Sequence, residues 1–463
     1  GDRWSGPGPR SSACARGPRD PSARAGRSGS CHSAPACARP PGSGRAPGRG
    51  RRPGAAPRPA PAPRPASRVP RPGPRRPPAG GAGGRAGAGG DADRRRAFDA
   101  FYGRVYADLS LLDDIWTQAL SLALTDTASD TFADGAFVSR FAGRRWKLVY
   151  QSTLTTGLGA LTAAVEHEAL DFTSRAADPA DPSNQKQSDD QTSFVGEWRS
   201  DVAARAFLTV GVRRDLNGTF ADATTWRATA SYRLAQTLRL HGSYGTGVSD
   251  PTFFDRFGFF PDFFVGNPDL RPEKARGWDA GVTYRTPGDD LRLDVTYFAS
   301  ELRDEITPSF DVVTFLSSVE NQAGVSDRKG VEFSGEARLG GHLHLRASYT
   351  YLDATEPDGS REVRRAKQIA SLGAVYRLPE ERGELSLALD YNGRQDDLDF
   401  STFPATRVVL DDFLLATLSL RYRLLEGVDL IARLENALDA DYRNVFGFNT
   451  PGIGAFAGLS LRF

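Results

Sequence analysis

The sequence predicts an all-β protein: a transmembrane, antiparallel, up-and-down β-barrel that follows a disordered N-terminal segment. Three observations predict this fold class. Apolar and polar residues alternate with a period of two, the alternating runs reach about ten residues, and short turns alternate with long loops. At about twenty residues for each strand with its connection, we expect roughly 16–19 strands.

The alternation is regular in five stretches of the sequence. Successive side chains of a strand point to opposite sides, so each stretch has one apolar and one polar face. The apolar residues occupy every second position in Ala206–Val212, Leu291–Ala299, Leu343–Tyr351, Leu385–Tyr391 and Leu414–Leu424. Arg, Asp, His, Ser and Thr fill most of the positions between them. No helical spacing is sustained over these residues.

A soluble β-sandwich also alternates, but its strands are only about five or six residues long. Strands of about ten residues can cross a bilayer at a tilt. The repeated charges of the polar face suit a wet or protein-filled lumen, and aromatic residues near the strand ends suit the interfacial girdles of a membrane barrel. These aromatic residues are Tyr244, Tyr284, Tyr297, Tyr349, Tyr351, Tyr391 and Tyr422.

Connections of two lengths separate the predicted strands. Short turns are predicted at Pro287–Asp290, Leu339–Gly341 and Leu425–Gly427, and long loops at Asp171–Gln191, Asp250–Lys274, Asp353–Arg365 and Arg394–Thr406. Short turns at one end of the barrel and long loops at the other are typical of outer-membrane barrels.

Residues 1–95 form a separate low-complexity segment. They contain 20 Arg and four Asp, and no Leu, Ile, Phe, Tyr, Lys, Glu or Thr, which leaves 39 basic and 53 acidic residues in 96–463. So little apolar surface cannot offset the entropy lost on ordering, and we expect disorder. All three cysteines, Cys14, Cys31 and Cys37, lie here, so neither a disulfide framework nor a zinc site is predicted for 96–463.

Two interpretations of residues 1–95 compete. A basic arm for nucleic acid or an anionic membrane would fit the charge, but aromatic side chains are not interleaved with the arginines. Translation of a GC-rich stretch in the wrong frame, or from outside the gene, fits better, because GC-only codons encode Arg, Pro, Gly and Ala. We therefore predict no nucleic-acid partner. The chain has no Met and no recognisable signal peptide, and we interpret it as a fragment.

The segment Tyr244–Tyr284 carries the most specific pattern. Its Phe-rich loop ends in a turn that reads Gly266-Asn267-Pro268-Asp269-Leu270-Arg271-Pro272-Glu273. Each proline fixes φ and removes a donor, so this turn lies outside sheets and helices. Two further patterns follow: Asn321 with Gly330-Val331-Glu332, Ala347–Tyr351 and Arg364-Arg365, then Glu435–Asp439 with Tyr442, Gly447, Pro451-Gly452 and a final alternating strand that ends on Phe463.

These three patterns, in this order, resemble those of the TonB-dependent outer-membrane receptors, and the cobalamin-receptor-like branch more than the large siderophore branch. The resemblance covers most of 116–463. It implies a 22-stranded barrel of which 96–463 supply an incomplete part. It also makes Gly266, Asn267, Pro268, Pro272, Glu273, Asn436 and Phe463 family-signature residues with structural roles. Receptors of this family carry an N-terminal plug domain and a TonB box, and neither is readable in this sequence.

The best candidates for ligand contact are seven Phe residues within the 12 positions of 253–264. They are Phe253, Phe254, Phe257, Phe259, Phe260, Phe263 and Phe264. Such a cluster on a loop is an aggregation liability unless something covers it. A ligand, the plug and neighbouring loops are the alternative covers, and packing against loops is the more common outcome.

Metal binding has weaker candidates. Asp178, Asp181, Asp189 and Asp190 would supply oxygen ligands for calcium, which cobalamin receptors bind through loop carboxylates. Asp396, Asp397 and Asp399 form a second group of this kind, and His342 and His344 lie two residues apart near a turn. Solvated side chains are the more common explanation of each group, and no cofactor is required. No catalytic constellation is present, so we do not expect an enzyme.

The resemblance implies a receptor in the cell outer membrane of a Gram-negative bacterium. Such a receptor captures a scarce metal chelate at its loops and imports it when the TonB complex remodels the plug. We expect cobalamin as the ligand and, second, a ferric siderophore. The other expected partners are outer-membrane lipid, the barrel assembly machinery, and the TonB complex through the N-terminal segment that this sequence lacks. A passive porin-like channel is the alternative.

Overall fold

The computed structural model describes residues 93–203, 205–260, 264–402 and 404–462, so the predicted segment 1–95 lies almost entirely outside it. The strands are β1 (Arg94–Leu111), β2 (Trp116–Ala133), β3 (Ala136–Thr156), β4 (Gly159–Ala176), β5 (Gln185–Ala203), β6 (Ala206–Asn217), β7 (Ala223–Ala235), β8 (Leu238–Ser249), β9 (Phe259–Phe260), β10 (Phe264–Val265), β11 (Glu273–Arg285), β12 (Leu291–Arg303), β13 (Ile306–Asp311), β14 (Leu316–Asn321), β15 (Val325–Leu339), β16 (Leu343–Thr355), β17 (Gln368–Arg377), β18 (Gly383–Asn392), β19 (Gln395–Asp399), β20 (Thr406–Leu410), β21 (Phe413–Leu425), β22 (Val428–Glu435) and β23 (Gly454–Leu461). One α-helix, α1, spans Phe253–Phe257, and a 3-10 turn spans Pro379–Glu381. Within the described residues, no helix is both long enough and apolar enough to cross a membrane.

Seventeen strands form one antiparallel sheet, the wall, in which each strand pairs with the next. Its order is β1–β8, β11, β12, β15–β18 and β21–β23. This is the predicted up-and-down meander, and its 17 strands lie within the predicted range. Among the described residues, β1 pairs only with β2 and β23 only with β22, so the described strands do not close the wall. The remaining strands lie in the long loops, where β9, β10, β13 and β14 form a small sheet and β19 and β20 form a hairpin.

All the long connections lie at one end of the wall, which we call the long-loop end, and the opposite end is the short-turn end. The short connections 286–290, 340–342 and 426–427 confirm the predicted turns. The long-loop end carries the connections 177–184, 250–272, 304–324, 356–367, 393–412 and 436–453. Because antiparallel strands reverse direction at every turn, residues far apart in sequence meet at this end.

Three loop boundaries differ from the prediction. Strand β4 runs to Ala176 and β5 begins at Gln185, so the loop predicted at Asp171–Gln191 is confined to 177–184. Strand β16 likewise continues to Thr355, and the hairpin of β19 and β20 occupies much of the loop predicted at Arg394–Thr406. In its last residues, β4 carries polar side chains on the outer face, at Asp171, Thr173 and Arg175, and the first residues of β5 are polar on both faces. The apolar-outside alternation of the band therefore does not continue into these parts of the strands.

The two faces of the wall have opposite character. Apolar side chains stay exposed on the outer face, such as Val210 and Val295, at 42% and 47%. On the inner face, polar groups are buried, and Glu166 is only 7% exposed. The Glu166 Oε2 atom accepts hydrogen bonds from Lys147 Nζ and Arg213 Nη1, each at 2.9 Å. The predicted polar lumen face is therefore a network of paired charges in this region.

Aromatic rings stack on the outer face near the long-loop end. The ring centroids of Trp226 and Tyr244 lie 4.9 Å apart, and those of Trp278 and Tyr297 lie 5.3 Å apart. One outer position closer to the loops, an ion pair joins Arg276 Nη2 to a Glu301 carboxylate oxygen at 2.6 Å. The apolar band thus ends in an aromatic row followed by charges, as expected for an interfacial girdle.

Gly330 lies where strand β15 passes close to β16. This close approach predicts that a larger side chain at position 330 would destabilise the wall. A Cβ atom at Gly330 would lie 2.1 Å from Tyr351 O and 2.8 Å from Phe298 Cζ. We expect Gly330→Ala to lower the stability by about 1–3 kcal/mol, because the backbone must move to accept the methyl group. Gly373→Ala is the matched control, since its nearest neighbour, Arg346 O, would lie 3.9 Å away. Thermal unfolding in detergent, followed by circular dichroism, measures both variants, and equal unfolding temperatures would contradict the expectation.

Candidate functional site at the long-loop end

The segment 250–272, which we call the Phe loop, begins with a short helix that its own sequence caps. Strand β8 ends at Ser249, two residues before Pro251, and Thr252 is the N-cap of α1. The Thr252 Oγ1 atom accepts from Asp255 N at 3.1 Å, and Asp255 Oδ2 accepts from Thr252 N at 3.1 Å. This reciprocal capping box fixes the direction in which the chain leaves the wall.

The rings of the Phe loop pack on one another. Phe254 stacks on Phe264 with the centroids 4.8 Å apart, and Phe260 lies 5.9 Å from Phe254. Between them, Gly258 N donates to Phe254 O at 2.8 Å, and Gly266 N donates to Gly258 O at 2.6 Å. The loop is therefore a compact folded unit.

This unit reaches across the inner face of the wall. Phe253 stacks on Phe172 of β4, with the centroids 5.8 Å apart, and Phe260 lies 6.4 Å from Phe141 of β3. Phe172 has the same parity on β4 as the inner-facing Glu166, so it also faces inwards. Three strands, β5, β6 and β7, separate β4 from β8. The Phe loop therefore folds over the concave side and covers part of the lumen mouth.

The guanidinium group of Arg256 joins the Phe loop to the connection 218–222. The Arg256 Cζ atom lies 4.8 Å from the ring centroid of Phe220 in the connection 218–222, and 4.5 Å from that of Phe257. Burial lowers the pKa of Arg256. A hydrogen bond from Gln185 Nε2 to Phe257 O ties the loop to β5 as well. Cation–π contacts of this kind strengthen when they are desolvated.

The predicted Phe candidates are brought together in part. The rings of Phe253, Phe254, Phe257, Phe260 and Phe264 are half-buried and pack as described. Phe263 lies outside the described residues, and only the backbone of Phe259 is described. Ligand contact by these rings stays a prediction. The sequence analysis missed Phe141 and Phe172, although an apolar ring at a lumen-facing strand position was the signal that could have identified them.

The signature turn fastens the Phe loop to the connection 304–324. Asn267 Oδ1 accepts from Asp269 N at 3.0 Å, while Asn267 Nδ2 donates to Val319 O at 3.0 Å. Asn321 Oδ1 accepts from Arg271 N at 2.8 Å, and Asn321 Nδ2 donates to Arg271 O at 2.9 Å. The two asparagines thus supply the partners that a strand would otherwise provide.

The other residues of the turn complete this joint. Glu273 Oε1 accepts from Ile306 N at 2.8 Å. A Cβ atom at Gly266 would lie 2.7 Å from both Arg256 C and Phe257 N, so only glycine fits there. Pro268 and Pro272 flank the segment that Asn267 and Asn321 hold. Gly266, Asn267 and Glu273 thus each have a structural contact or a steric reason.

The other long loops are joined by ionic contacts. Arg328 Nε donates to Glu362 Oε1 at 2.7 Å, and Arg328 Nη2 donates to Glu305 Oε1 at 3.3 Å. Asp397 is completely buried, and its carboxylate accepts from Arg364 Nε at 2.8 Å and from Phe446 N at 2.7 Å. These contacts link the connections 304–324, 356–367, 393–412 and 436–453.

The C-terminal signature shapes the last of these connections. Asn436 adopts a positive φ of 44° and is 7% exposed. Its Oδ1 atom accepts from Ala440 N at 2.9 Å, and its Nδ2 atom donates to Ala440 O at 3.0 Å. Asparagine tolerates this backbone conformation better than most residues do. Phe463 lies outside the described residues.

The metal candidates have other partners. Asp178 Oδ1 accepts from Ala180 N at 2.8 Å, Asp189 Oδ1 accepts from Thr219 Oγ1 at 2.8 Å, and hydrogen bonds from Ser183 lower the pKa of Asp181. His344 Nε2 lies 2.7 Å from Glu336 Oε1, while the His342 ring packs near Tyr376. In the part of the chain that the structure describes, no three His, Cys, Asp or Glu side chains converge to hold a metal ion. Calcium binding by Asp178, Asp181, Asp189 and Asp190 stays a prediction without support from this geometry.

The buried carboxylate of Asp397 predicts how the loops are held. We expect Asp397→Asn to weaken the contacts that link the connections 356–367, 393–412 and 436–453 by about 1–3 kcal/mol, because the change removes the charge that Arg364 neutralises. Limited proteolysis with mapping of the cut sites should then show faster cleavage in 393–412 and 436–453. Asp399→Asn is the control, since the Asp399 carboxylate caps a local turn by accepting from Ser401 N at 2.8 Å. Equal cleavage rates in the two variants would rule out that the Asp397 carboxylate holds these loops together.

Comparison with solved structures shows the same fold in several membrane receptors. The siderophore receptor PirA from Acinetobacter baumannii matches at a TM-score of 0.65 and 14% identity, over 80% of this chain and 63% of that one. A variant of the ferric enterobactin receptor PfeA from Pseudomonas aeruginosa, in complex with enterobactin, matches at 0.66 and 16%, over 80% and 62%. The copper transporter OprC matches at 0.62 and 17%, over 79% and 65%. The chain thus spans less than two thirds of the length of these structures.

A family model provides the comparison at the level of sequence. The model described as "TonB dependent receptor-like, beta-barrel" matches residues 39–437, which is most of the chain. The match includes the Phe loop, its signature turn and the ionic contacts of Arg328 and Asp397. The chain belongs to the TonB-dependent receptor β-barrel family.

Proposed function

We propose that the protein is an outer-membrane receptor of a Gram-negative bacterium that binds a metal chelate at its long-loop end and imports it with energy from the TonB complex. The observation that carries this proposal is the Phe loop folded across the inner face, where Phe253 and Phe260 meet Phe172 and Phe141. An aromatic surface over part of the lumen mouth supports the proposal that a ligand is captured there.

The outer face supports the location in a membrane. Its exposed side chains are apolar over a band that ends at the rings of Trp226, Tyr244, Trp278 and Tyr297. Charged pairs such as Arg276 with Glu301 follow immediately on the loop side. Rings at the interface and charges beyond it are the pattern of an outer-membrane barrel whose long loops face outwards.

The chemistry of the Phe loop supports a large ligand with flat groups. Aromatic rings offer stacking surfaces, and the Arg256 guanidinium between two rings attracts negative charge. Ferric siderophores and cobalamin both offer flat groups, and they are the two ligand classes we propose. The PirA and PfeA receptors, which share the fold, are described as receptors for a siderophore and for ferric enterobactin.

A passive porin-like channel is the second candidate. The polar inner wall favours it, since paired charges such as Lys147 with Glu166 line a wet passage. The two candidates differ in energy coupling. A channel passes solutes down their gradient, while the proposed receptor needs TonB.

The first test measures uptake. The native gene, with any coding sequence that adjoins these residues, is expressed in a Gram-negative host that lacks its own siderophore and cobalamin receptors. We expect saturable uptake of one radiolabelled ferric siderophore, or of radiolabelled cobalamin, that disappears when tonB is deleted from the host. Uptake that is linear in concentration and unaffected by the deletion would instead establish the channel.

The second test separates ligand contact from packing in the Phe loop. We expect the double variant Phe253→Ser and Phe260→Ser to bind the chelate at least about tenfold more weakly, because it loses two stacking surfaces. Phe400→Ser is the control, since this ring is 70% exposed in another long loop. Equilibrium binding to whole cells measures affinity, and surface proteolysis checks the loop fold. Unchanged affinity in the double variant would leave the rings with a packing role only.

A further inference from the structure

Three glutamates and one arginine lie where the signature turn, the connections 304–324 and 356–367 and strand β15 come together. They are Glu273, Glu305, Glu362 and Arg328, and we call them the carboxylate cluster. The Arg328 guanidinium donates to Glu362 Oε1 at 2.7 Å and to Glu305 Oε1 at 3.3 Å. Glu305 Oε2 also accepts from Ser326 Oγ at 2.6 Å, and Ser326 is only 1% exposed. The cluster is therefore held inside the packed loops.

Glu273 is the member of the cluster that joins the Phe loop to the connection 304–324. Its Oε1 atom accepts from Ile306 N at 2.8 Å, directly after Glu305 in the chain. Glu273 has the opposite parity on β11 to the outer-facing Trp278, so it faces inwards. It lies on the loop side of the aromatic row that contains Trp278, and so outside the membrane.

Negative charge exceeds positive charge around Glu273. The charge of Asp255 in the Phe loop acts on Glu273, as do the charges of Glu305 and Arg328. Glu356 in the connection 356–367 adds a further negative charge beside Glu305. Carboxylates that are held close together cannot all stay ionised, so one of them binds a proton more readily than a free carboxylate does.

The nearby cations other than Arg328 are paired with other acids. Their ion pairs are Arg365 with Glu362, Arg271 with Asp304 and Lys274 with Asp304. Lys274 has the parity of Trp278 on β11, so its pair with Asp304 lies towards the outer face, away from the inner side where Glu273 lies.

The charge surplus changes how readily Glu273 ionises. Burial raises the pKa of Glu273 above its ordinary value of 4.5, and the charges of Glu305 and Asp255 raise it further, against the hydrogen bond from Ile306 N and the charge of Arg328. A carboxyl group whose pKa is raised by folding binds more protons in the closed joint than in the open one. The stabilisation that this proton provides is complete below pH 4.5, and it is lost as the pH rises through the raised pKa.

We propose that the carboxylate cluster is a proton-operated clasp, which fastens the Phe loop to the connection 304–324 more firmly as the surroundings become acidic. When Glu273 is protonated, the repulsion from Glu305 and Asp255 ends, while Glu273 Oε1 can still accept from Ile306 N. When Glu273 is ionised, the repulsion returns and the joint opens more often. Because the Phe loop covers part of the lumen mouth, external pH then changes how readily a ligand enters, and this consequence rests on the proposed receptor function.

Hydrogen exchange followed by mass spectrometry tests the clasp on the full chain folded in detergent, without any ligand. The exchange rates of peptides from the connection 304–324 are measured from pH 5 to pH 8 and corrected for the pH dependence of exchange in a free amide. We expect this connection to open at least about threefold more often at pH 8 than at pH 5, because ionised Glu273 weakens the joint.

The variant Glu273→Gln keeps the acceptor oxygen and has no charge, so it imitates the protonated state. We expect its connection 304–324 to open no more often at pH 8 than that of the unchanged protein at pH 5. Glu320→Gln is the matched control, because Glu320 is an exposed acid of the same connection, and this control should keep the pH dependence. The proposal is overturned if Glu273→Gln keeps the pH dependence of the unchanged protein, or if it opens more often at every pH.

A second variant, Glu305→Gln, keeps the test decisive if Glu273→Gln does not fold. It removes one of the negative charges that act on Glu273, so the change in opening should occur at a lower pH than in the unchanged protein. A change at the same pH or at a higher pH would overturn the proposal. Neither measurement uses a chelate or its uptake, so a failure here is distinct from a failure of the proposed import.

Discussion

The unbroken antiparallel ladder is the constraint on which the rest of this structure depends. Every wall strand from β2 to β22 pairs with a neighbour on each side, and outside a helix only such pairing satisfies backbone groups in lipid. The ladder imposes a period of two, which sends alternate side chains to lipid and to the lumen. The buried residues in the described part of the chain are accordingly unusual: the apolar ones are few and mostly alanine, while Glu166, Ser193 and Asp215 are almost completely buried. The apolar surface of this protein faces outwards, and polar pairing organises its interior.

The same ladder determines where a functional site can form. Reversal at every turn brings all the long connections to one end, where two kinds of contact hold them together. Aromatic stacking joins the Phe loop to the inner faces of β3 and β4 through Phe141 and Phe172. Hydrogen-bonded ion pairs at Arg328 and Asp397 join the loops of the C-terminal half. Asn267 and Asn321 connect the two groups, because they fasten the Phe loop to the connection 304–324. The aromatic and the ionic contacts are therefore parts of one connected set of loops at the long-loop end.

Much of this architecture could be predicted from the sequence. The features that could not be predicted depend mainly on contacts between residues far apart in the chain. The alternation in Leu414–Leu424 predicts β21, because apolar residues face lipid and polar residues face the lumen at neighbouring positions of a strand. Where β4 and β5 extend beyond the apolar band, the outer-facing residues become polar, the alternation of the band is not continued, and the predicted loop was too long. The partner of Asp397 could not be predicted, because Arg364 and Phe446 lie on other loops and no spacing relates them. The signature turn could be located from its prolines, but the roles of Asn267 and Gly266 depend on residues about ten to fifty positions away.

The inner wall holds many of its charged side chains in pairs. Between β3 and β6, Lys147 and Arg213 share Glu166, and Arg213 also pairs with Asp215, so each charge there has a partner within the wall. At the short-turn end, Arg285 likewise pairs with Asp289, and Asp294 accepts a hydrogen bond from Thr283 Oγ1 at 2.6 Å. Contacts between polar side chains of the wall and its turns therefore hold charged groups on the inner face at both places.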